Sequence, residues 1–560
     1  MFLKELVKIP EEKGRINQTK KGKNCYVRYL LEAKYYPDKK YAIPKFVNIG
    51  KVADEAGMMY PNQNYIKYFG RDELSEDHSS ERSGCLKVGA YIVLSELARE
   101  MELKKILEKR FTSEDANLIL DLAFYAIITE NFQGQYYPYY AFEHPLMTDH
   151  MKIYSDSKIS SFLASVEPNQ IQGFMNDWNC NRDHDKRIYV SYDSTNKNCQ
   201  AGDIDMVEFG HAKVDKGLPI VNIAMAYDTC NEQPLFYEQY PGSIVDVSQL
   251  RYMIGKAQGY GYRNIGFILD RGYFSKPNIH DLDHADYPFI IMVKGQKSLV
   301  RSIVLENQDT FEKDRDCFIP KYRVYGKTVK RTLYASDEKD RYFHLYYSNK
   351  RNALETECFE DKIAAMKDFL DSLRGTKATI SNKYSKYFNL EMHKDGTFIC
   401  ASEKNNVIIE ELSLFGYFCI ITSEPLTAKE ALEIYKSRDT SEKLFRGDKS
   451  YLGADAIRVY SGESMRTKMF VEFIALILRN RMHIQLKREE EKMKKKPNYM
   501  TVPAAIRELE KMQLIRDGQG DYIVDHATTK TQKAILKAFG IDANVLKKRN
   551  ASLCKELNDV

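Results

Sequence analysis

Residues 264–269, Asn-Ile-Gly-Phe-Ile-Leu, read as a very apolar strand that stops at Asp270. A strand apolar on both sides must be covered on both faces, so it belongs inside a sheet with helices packed against it. Its surroundings agree. Strands are expected at Arg187–Tyr192, Pro219–Tyr227, Pro234–Tyr240 and Tyr287–Val293, with a helix over Asp246–Gln258. Strands interleaved with helices predict a mixed sheet flanked by helices, so residues 187–300 are the first part of an α/β domain. The pattern resumes over 413–486 with a strand at Tyr417–Thr422. A helix follows, opened by a Thr427/Glu430 capping box, and a long helix starts near Glu463.

The remaining chain divides around this domain. Residues 1–87 are β-rich, with strands at Asn24–Ala33 and Tyr41–Ile49. Residues 88–186 take helical periodicity and read as a helical domain, a candidate DNA-binding domain. There, Ser157–Ser165 and Asn169–Trp178, broken by Pro168, fit a helix-turn-helix or any small bundle. Residues 301–412 are strand-like and polar, with one helix near Glu360–Leu373, and read as a β-rich insertion. Residues 487–560 are a charged helical C-terminal domain. A multidomain chain is also what 560 residues imply, at about 100–200 residues per domain.

Aromatic residues make up 12% of the chain, which excludes wholesale disorder. The net charge of +5 permits a nucleic-acid partner without arguing for one, so any basic footprint must be local. One such concentration is Lys4, Lys8, Lys13, Arg15, Lys20, Lys21 and Lys23, which face only Glu5, Glu11 and Glu12. The ten cysteines are scattered with no CxxC pair, as in a reducing cytosol. The N-terminus has no long apolar stretch, and Phe470–Met482 is too short and too charged to span a bilayer. A cytoplasmic protein with no membrane partner is expected.

Three acids stand out. Asp193 and Asp270 are each expected to end a strand, where α/β sheets place ligands, although Asp also commonly opens turns. Glu442 lies within a helix. Two strand-end Asp and a helical Glu suit two divalent cations about 3.5–4 Å apart for phosphoryl transfer. Tyr435, Arg438, Glu442 and Lys449 stand three, four and seven residues apart, and project within about 60° of one another on a helix. Such a stripe is ordinarily a surface salt-bridge ladder. Tyr435 on the same stripe and the run Leu444-Phe-Arg-Gly-Asp-Lys449 count against that. Gly447 leaves the direction of Lys449 less fixed.

In type, order and spacing, Tyr435-x2-Arg438-x3-Glu442-x6-Lys449 resembles the Tyr-Arg-Glu-Lys signature of bacterial insertion-sequence transposases. These are DDE enzymes with a ribonuclease-H-like catalytic domain. Asp193-Ser-Thr, Leu269-Asp-Arg-Gly-Tyr-Phe274, Pro288-Phe-Ile-Ile-Met-Val-Lys294 and the insertion are similar too, so the resemblance spans roughly residues 90–550. It implies that Asp193, Asp270 and Glu442 bind two Mg²⁺, with Mn²⁺ able to substitute. One ion would activate water and then the freed 3′-hydroxyl, and the other would stabilise the leaving oxygen. Tyr435, Arg438 and Lys449 would grip phosphates of the transposon end. The implied partners are double-stranded DNA, as terminal inverted repeats and target, held by a homodimer in a bacterial cytoplasm and associated with the nucleoid when bound. Family members often excise through a hairpin with a flipped base. This sequence departs there: its one Trp, Trp178, lies upstream, and Asp439 follows Arg438.

A second basic cluster, Lys321, Arg323, Lys327, Lys330 and Arg331, is interleaved with Tyr322, Val324 and Tyr325. In this context it reads as DNA-backbone contact. Strand alternation would put Lys321 and Arg323 on one face, with the other three beyond a turn at Gly326. Other readings stay open: a nuclease of the same fold without strand transfer, or a catalytically silent DNA-binding protein. A glycosidase with paired carboxylates leaves Arg438 and Lys449 unexplained. His280 and His284 have metal spacing but lack the Glu of a zincin motif. Gly326-Lys-Thr328 and Gly259-Tyr-Gly261 are incomplete nucleotide-binding motifs and mark turns.

Overall fold

The computed structural model describes residues 6–558 apart from 23, 37–40, 54–56, 70–81, 181–186, 202–203, 245, 294–296, 335, 338, 378, 440–455 and 519. The chain forms two units, Met1–Arg82 and Ser83–Val560. In the first, strands Val7–Lys8, Ile16–Lys21, Asn24–Tyr36, Tyr41–Val52 and Met58–Pro61 build one antiparallel sheet. The last strand lies between the first and the fourth. Val7, Val27, Ile49, Met59 and Tyr65 fill its core.

The second unit is organised by one large mixed sheet. Its strands are β1 (Ile188–Cys199), β2 (Ile220–Asp228), β3 (Gln233–Pro241), β4 (Ile265–Leu269), β5 (Phe289–Met292), β6 (Phe318–Ile319), β7 (Val324–Thr332), β8 (Asp340–Tyr347), β9 (Tyr417–Thr422) and β10 (Ala456–Ile457). The spatial order is β6-β7-β8-β9-β5-β4-β1-β2-β3, with β10 added to β1. β4 runs parallel to β1 and β5, β10 runs parallel to β1, and the other pairings are antiparallel. Both faces are covered, as the apolar run of β4 requires: Phe267 and Leu269 enter the main core, and Ile268 enters a smaller one on the opposite face.

Of the segment read as an insertion, residues 301–412, the strands from 318 to 347 extend this sheet. β8 is apolar on both sides, with Phe343 and Leu345 in the main core and Tyr346 in the smaller one, so it is driven inside. Its polar appearance in sequence comes from β7, whose outer half alternates between exposed and half-buried residues. Beyond β8, Asn349–Leu412 gathers around a core of its own. That core includes Phe359, Ile363, Leu370, Phe388 and Phe398, on a long helix (Asn349–Ser372) and a hairpin (Phe388–Met392 with Phe398–Glu403).

Three helices matter below: α1 (Ser113–Thr129), α2 (Ala428–Ser437) and α3 (Gly462–Glu491). α3 contains the apolar segment Phe470–Met482 and is buried along most of its length inside the protein. No helix among the described residues is long and apolar enough to cross a membrane. The first strand of this unit, Cys85–Lys87, pairs with Gln513–Arg516, so its beginning is tied to its C-terminal region. Gly89 comes so close to α-helical residue Leu509 that a Cβ there would lie 2.3 Å from its carbonyl oxygen. All ten cysteines are unpaired.

Candidate active site

Strand alternation decides which way the two Asp point. On β4, Asp270 follows Ile268 by two residues and therefore leaves the strand on the side of the smaller core. On β1, Val190 and Tyr192 join the main core, so Asp193 faces the other side, like Tyr189. Tyr192 stands opposite Leu269 in the parallel register. Asp193 and Asp270 therefore come next at the same level on neighbouring strands, whose backbones lie about 4.8 Å apart.

α2 covers this face. Thr427 and Glu430 form the expected capping box, and Ala428, Leu432 and Tyr435 pack into the smaller core with Ile268 and Ile290. Gly326 on β7 permits the close approach: a Cβ there would lie 3.0 Å from that of Ala428. The helix carries Arg438 over the Asp pair. Its Nη1 lies 2.7 Å from Asp270 Oδ1, with the guanidinium 12% and the carboxylate 39% exposed. The guanidinium also sits 5.1 Å from the ring of Tyr435. Tyr435 is buried, so it supports Arg438 from below.

Asp193 is the electrostatically strained member. Burial pushes its carboxyl above the usual carboxylate range, and Asp270 adds to the rise. The N–H of Ser194, Lys213 and Arg438 oppose it. Lys213 is held there by its Nζ, which donates to the Ser194 carbonyl at 2.7 Å, and by its N–H, which donates to Asn196 Oδ1 at 3.0 Å.

Asp193 does not end its strand, contrary to the sequence expectation; β1 continues to Cys199. The polar residues beyond it have partners. Asn196 Nδ2 donates to His211 O at 2.9 Å and Asn198 Nδ2 to Asp215 O at 2.8 Å. Lys197 Nζ donates to Glu472 Oε2 on α3 at 2.6 Å. Glu442 and Lys449 lie outside the described residues, as does Lys294.

The basic cluster is also arranged differently from the expectation. Lys321 and Arg323 occupy the turn between β6 and β7 rather than one face of a strand, and Arg323 has a left-handed φ of 54°. Gly326 lies inside β7 and marks no turn. Lys327 donates to Thr310 Oγ1 at 3.2 Å, Lys330 pairs with Asp340 at 3.3 Å, and Arg331 pairs with Glu306. Trp178 is fully buried and donates its Nε1–H to Pro234 O at 3.1 Å. Its helix, Pro168–Cys180, contains no Lys or Arg.

Sequence reasoning missed Lys213. It lies in a polar loop with no periodicity, and only the strand pairing brings it to Asp193. The donor set suits a hard dication, because Asp193 and Asp270 offer carboxylate oxygens and two half-buried carboxylates at one level call for a balancing cation. Among the described residues, no three His, Cys, Asp or Glu side chains converge on one point.

The family model for "Transposase DDE domain" matches residues 191–478, just over half of the chain. Among solved structures, the chain is similar to a piggyBac transposase synaptic complex with hairpin DNA. The identity is 9% and the TM-score 0.31, over 82% of this chain and 79% of that one. Among curated proteins, none matches.

Proposed function

This chain belongs to the transposase DDE domain family, and from that premise we propose that it cleaves DNA at the ends of its element and joins those ends to target DNA. The observation that carries the proposal is the level pair Asp193 and Asp270, on adjacent parallel strands inside the matched region. The sheet order β3-β2-β1-β4-β5, antiparallel and then parallel, supports a ribonuclease-H-like catalytic domain.

On this reading Asp193, Asp270 and Glu442 hold two Mg²⁺, or Mn²⁺ in their place. When bound, these ions supply the Lewis acidity that phosphoryl transfer needs. The chain supplies position. β1 and β4 fix the two carboxylates at one level, and α2 holds Arg438 above them on the ring of Tyr435. Arg438 matches phosphate oxygens through its fork, and Lys213 offsets the charge of Asp193. Lys449 is assigned to the same phosphates. Lys321 and Arg323 are exposed and have no carboxylate partner among the described residues, which supports their contact with a DNA backbone. Two duplex ends joined in one reaction are best served by a homodimer.

The test uses full-length protein, Mg²⁺ and a duplex carrying the element's ends. Asp193→Asn and Asp270→Asn should each reduce cleavage and joining to background, while gel-shift binding of the ends persists. Full strand transfer by either variant sinks the assignment. Metal-dependent cutting by the wild type with no joined product would make it a nuclease instead.

A further inference from the structure

A second charged cluster lies away from the Asp pair. β10 pairs with β1 at Asn198 and Cys199. Cys199 is six residues along the strand from Asp193, a rise of about 20 Å. Just after β10, Arg458 borders a cavity of about 360 Å³ at the C-terminal end of α1. Thr129, Asn131, Phe132, Gln133, Ala456 and Lys468 of α3 also line it, with Glu130 the one carboxylate among its described lining residues.

Lys468 is the telling residue. It is 5% exposed, and its Nζ lies 5.3 Å from the ring of Phe132. It makes no hydrogen bond or ion pair with any described residue. Glu472, the carboxylate that favours its charge, is already engaged by Lys197 at 2.6 Å. Lys197 and Arg458 both repel it, and burial disfavours the ammonium further. A buried ammonium in this position is costly unless an anion joins it. Arg458 has no carboxylate partner among the described residues either. Asn131 accepts the Gln133 N–H on its Oδ1 at 3.0 Å, which leaves its amide NH₂ as a donor. An Arg fork, an ammonium and an amide around a polar cavity match the oxygens of a phosphate.

We propose that this cavity binds a phosphate group between Lys468 and Arg458, and that the group is a backbone phosphodiester of bound duplex DNA. The DNA source rests on the function proposed above; the phosphate chemistry does not. A free phosphate or nucleotide would present the same oxygens, so the test has two arms.

In the first arm, inorganic phosphate is titrated into full-length protein in chloride buffer by calorimetry. Wild type should bind, and Arg458→Ala and Lys468→Met should each weaken binding at least tenfold. In the second arm, duplex binding is measured against salt. Each variant should flatten the slope of log K against log salt by about one, the share of one phosphate contact. Neither arm reads cleavage or joining, so both stand if the catalytic assignment of Asp193 and Asp270 fails. Arg458 is exposed, so Arg458→Ala decides the matter if Lys468→Met fails to fold. No phosphate binding by wild type, or equal binding by Arg458→Ala, overturns the site. Loss of phosphate binding with unchanged DNA slopes overturns the DNA source and leaves a free phosphate or nucleotide as the ligand.

Discussion

Glu472→Gln is the most informative single change outside the carboxylate pair. Lys197 and Glu472 tie β1 to α3 across 2.6 Å, with side chains only 1% and 5% exposed. The substitution keeps the shape and removes one charge, so the Lys197 ammonium is left buried beside a neutral amide. Breaking a buried pair from one side costs about 3–5 kcal/mol. That is a large part of a typical stability of about 5–15 kcal/mol. For a unit as large as Ser83–Val560 the unfolding entropy is roughly 1 kcal/mol/K, so the melting point should fall by about 3–5 °C. Replacing both residues, as Lys197→Met with Glu472→Leu, should restore stability to within about 1 kcal/mol. The pair also brackets Lys468, whose charge Glu472 favours and Lys197 opposes. Removing both therefore takes away one influence of each sign. Urea unfolding followed by Trp178 fluorescence measures this directly, because the chain has no other Trp and this one is buried in the same unit. The midpoint should move with the slope unchanged. A loss below about 1 kcal/mol for Glu472→Gln, or a double variant as unstable as the two singles summed, refutes the reasoning.

Two further outcomes are expected. His344 is buried between Thr328 Oγ1 and Thr422 Oγ1, each 2.9 Å away, and burial lowers its pKa to about 4. The unfolded chain takes up a proton near pH 6.5 and the folded one does not, so stability should fall by up to about 3 kcal/mol as pH drops from about 6.5 to 4. His344→Asn should flatten that part of the stability–pH curve, and an unchanged curve would contradict it. Arg438→Gln removes the cation that sits on Asp270, a half-exposed pair worth about 1 kcal/mol. Mn²⁺ binding, read by electron paramagnetic resonance without DNA, should tighten several-fold, and weaker binding would show that Arg438 positions Asp270 rather than competing for it.

What was legible in the sequence was local. The run ending at Asp270 announces a covered strand because both faces must be apolar. Thr427 and Glu430 announce the start of α2 because a capping box spans three residues. β1 shows where such reading stops. Ser194-Thr-Asn-Lys-Asn198 has the composition of a turn, yet it remains a strand. Its polar side chains are satisfied by a loop near residues 211–215 and by Glu472, which lies 275 positions away. Nothing in the segment itself carries that information. β8 was legible as a strand in a polar segment, but the composition of its hairpin partner β7, at the sheet edge, hid its place inside the main sheet.

The same limit governs the charges. Read along the chain, Lys321, Arg323, Lys327, Lys330 and Arg331 form one basic cluster. In the fold they separate by what they already hold. A phosphate approaching Lys330 or Arg331 must displace Asp340 or Glu306, whereas at Lys321 and Arg323 it displaces no described carboxylate. Arg438 shows the other side of this: a cation on a recognisable stripe, it lies against Asp270, a carboxylate 168 residues earlier in the chain. Among the described cations, those that can meet a phosphate without displacing an acid are the ones the fold leaves without a carboxylate partner. Arg458 and Lys468, at the end of β10 and on a buried helix, meet that condition although no run of basic residues marks them.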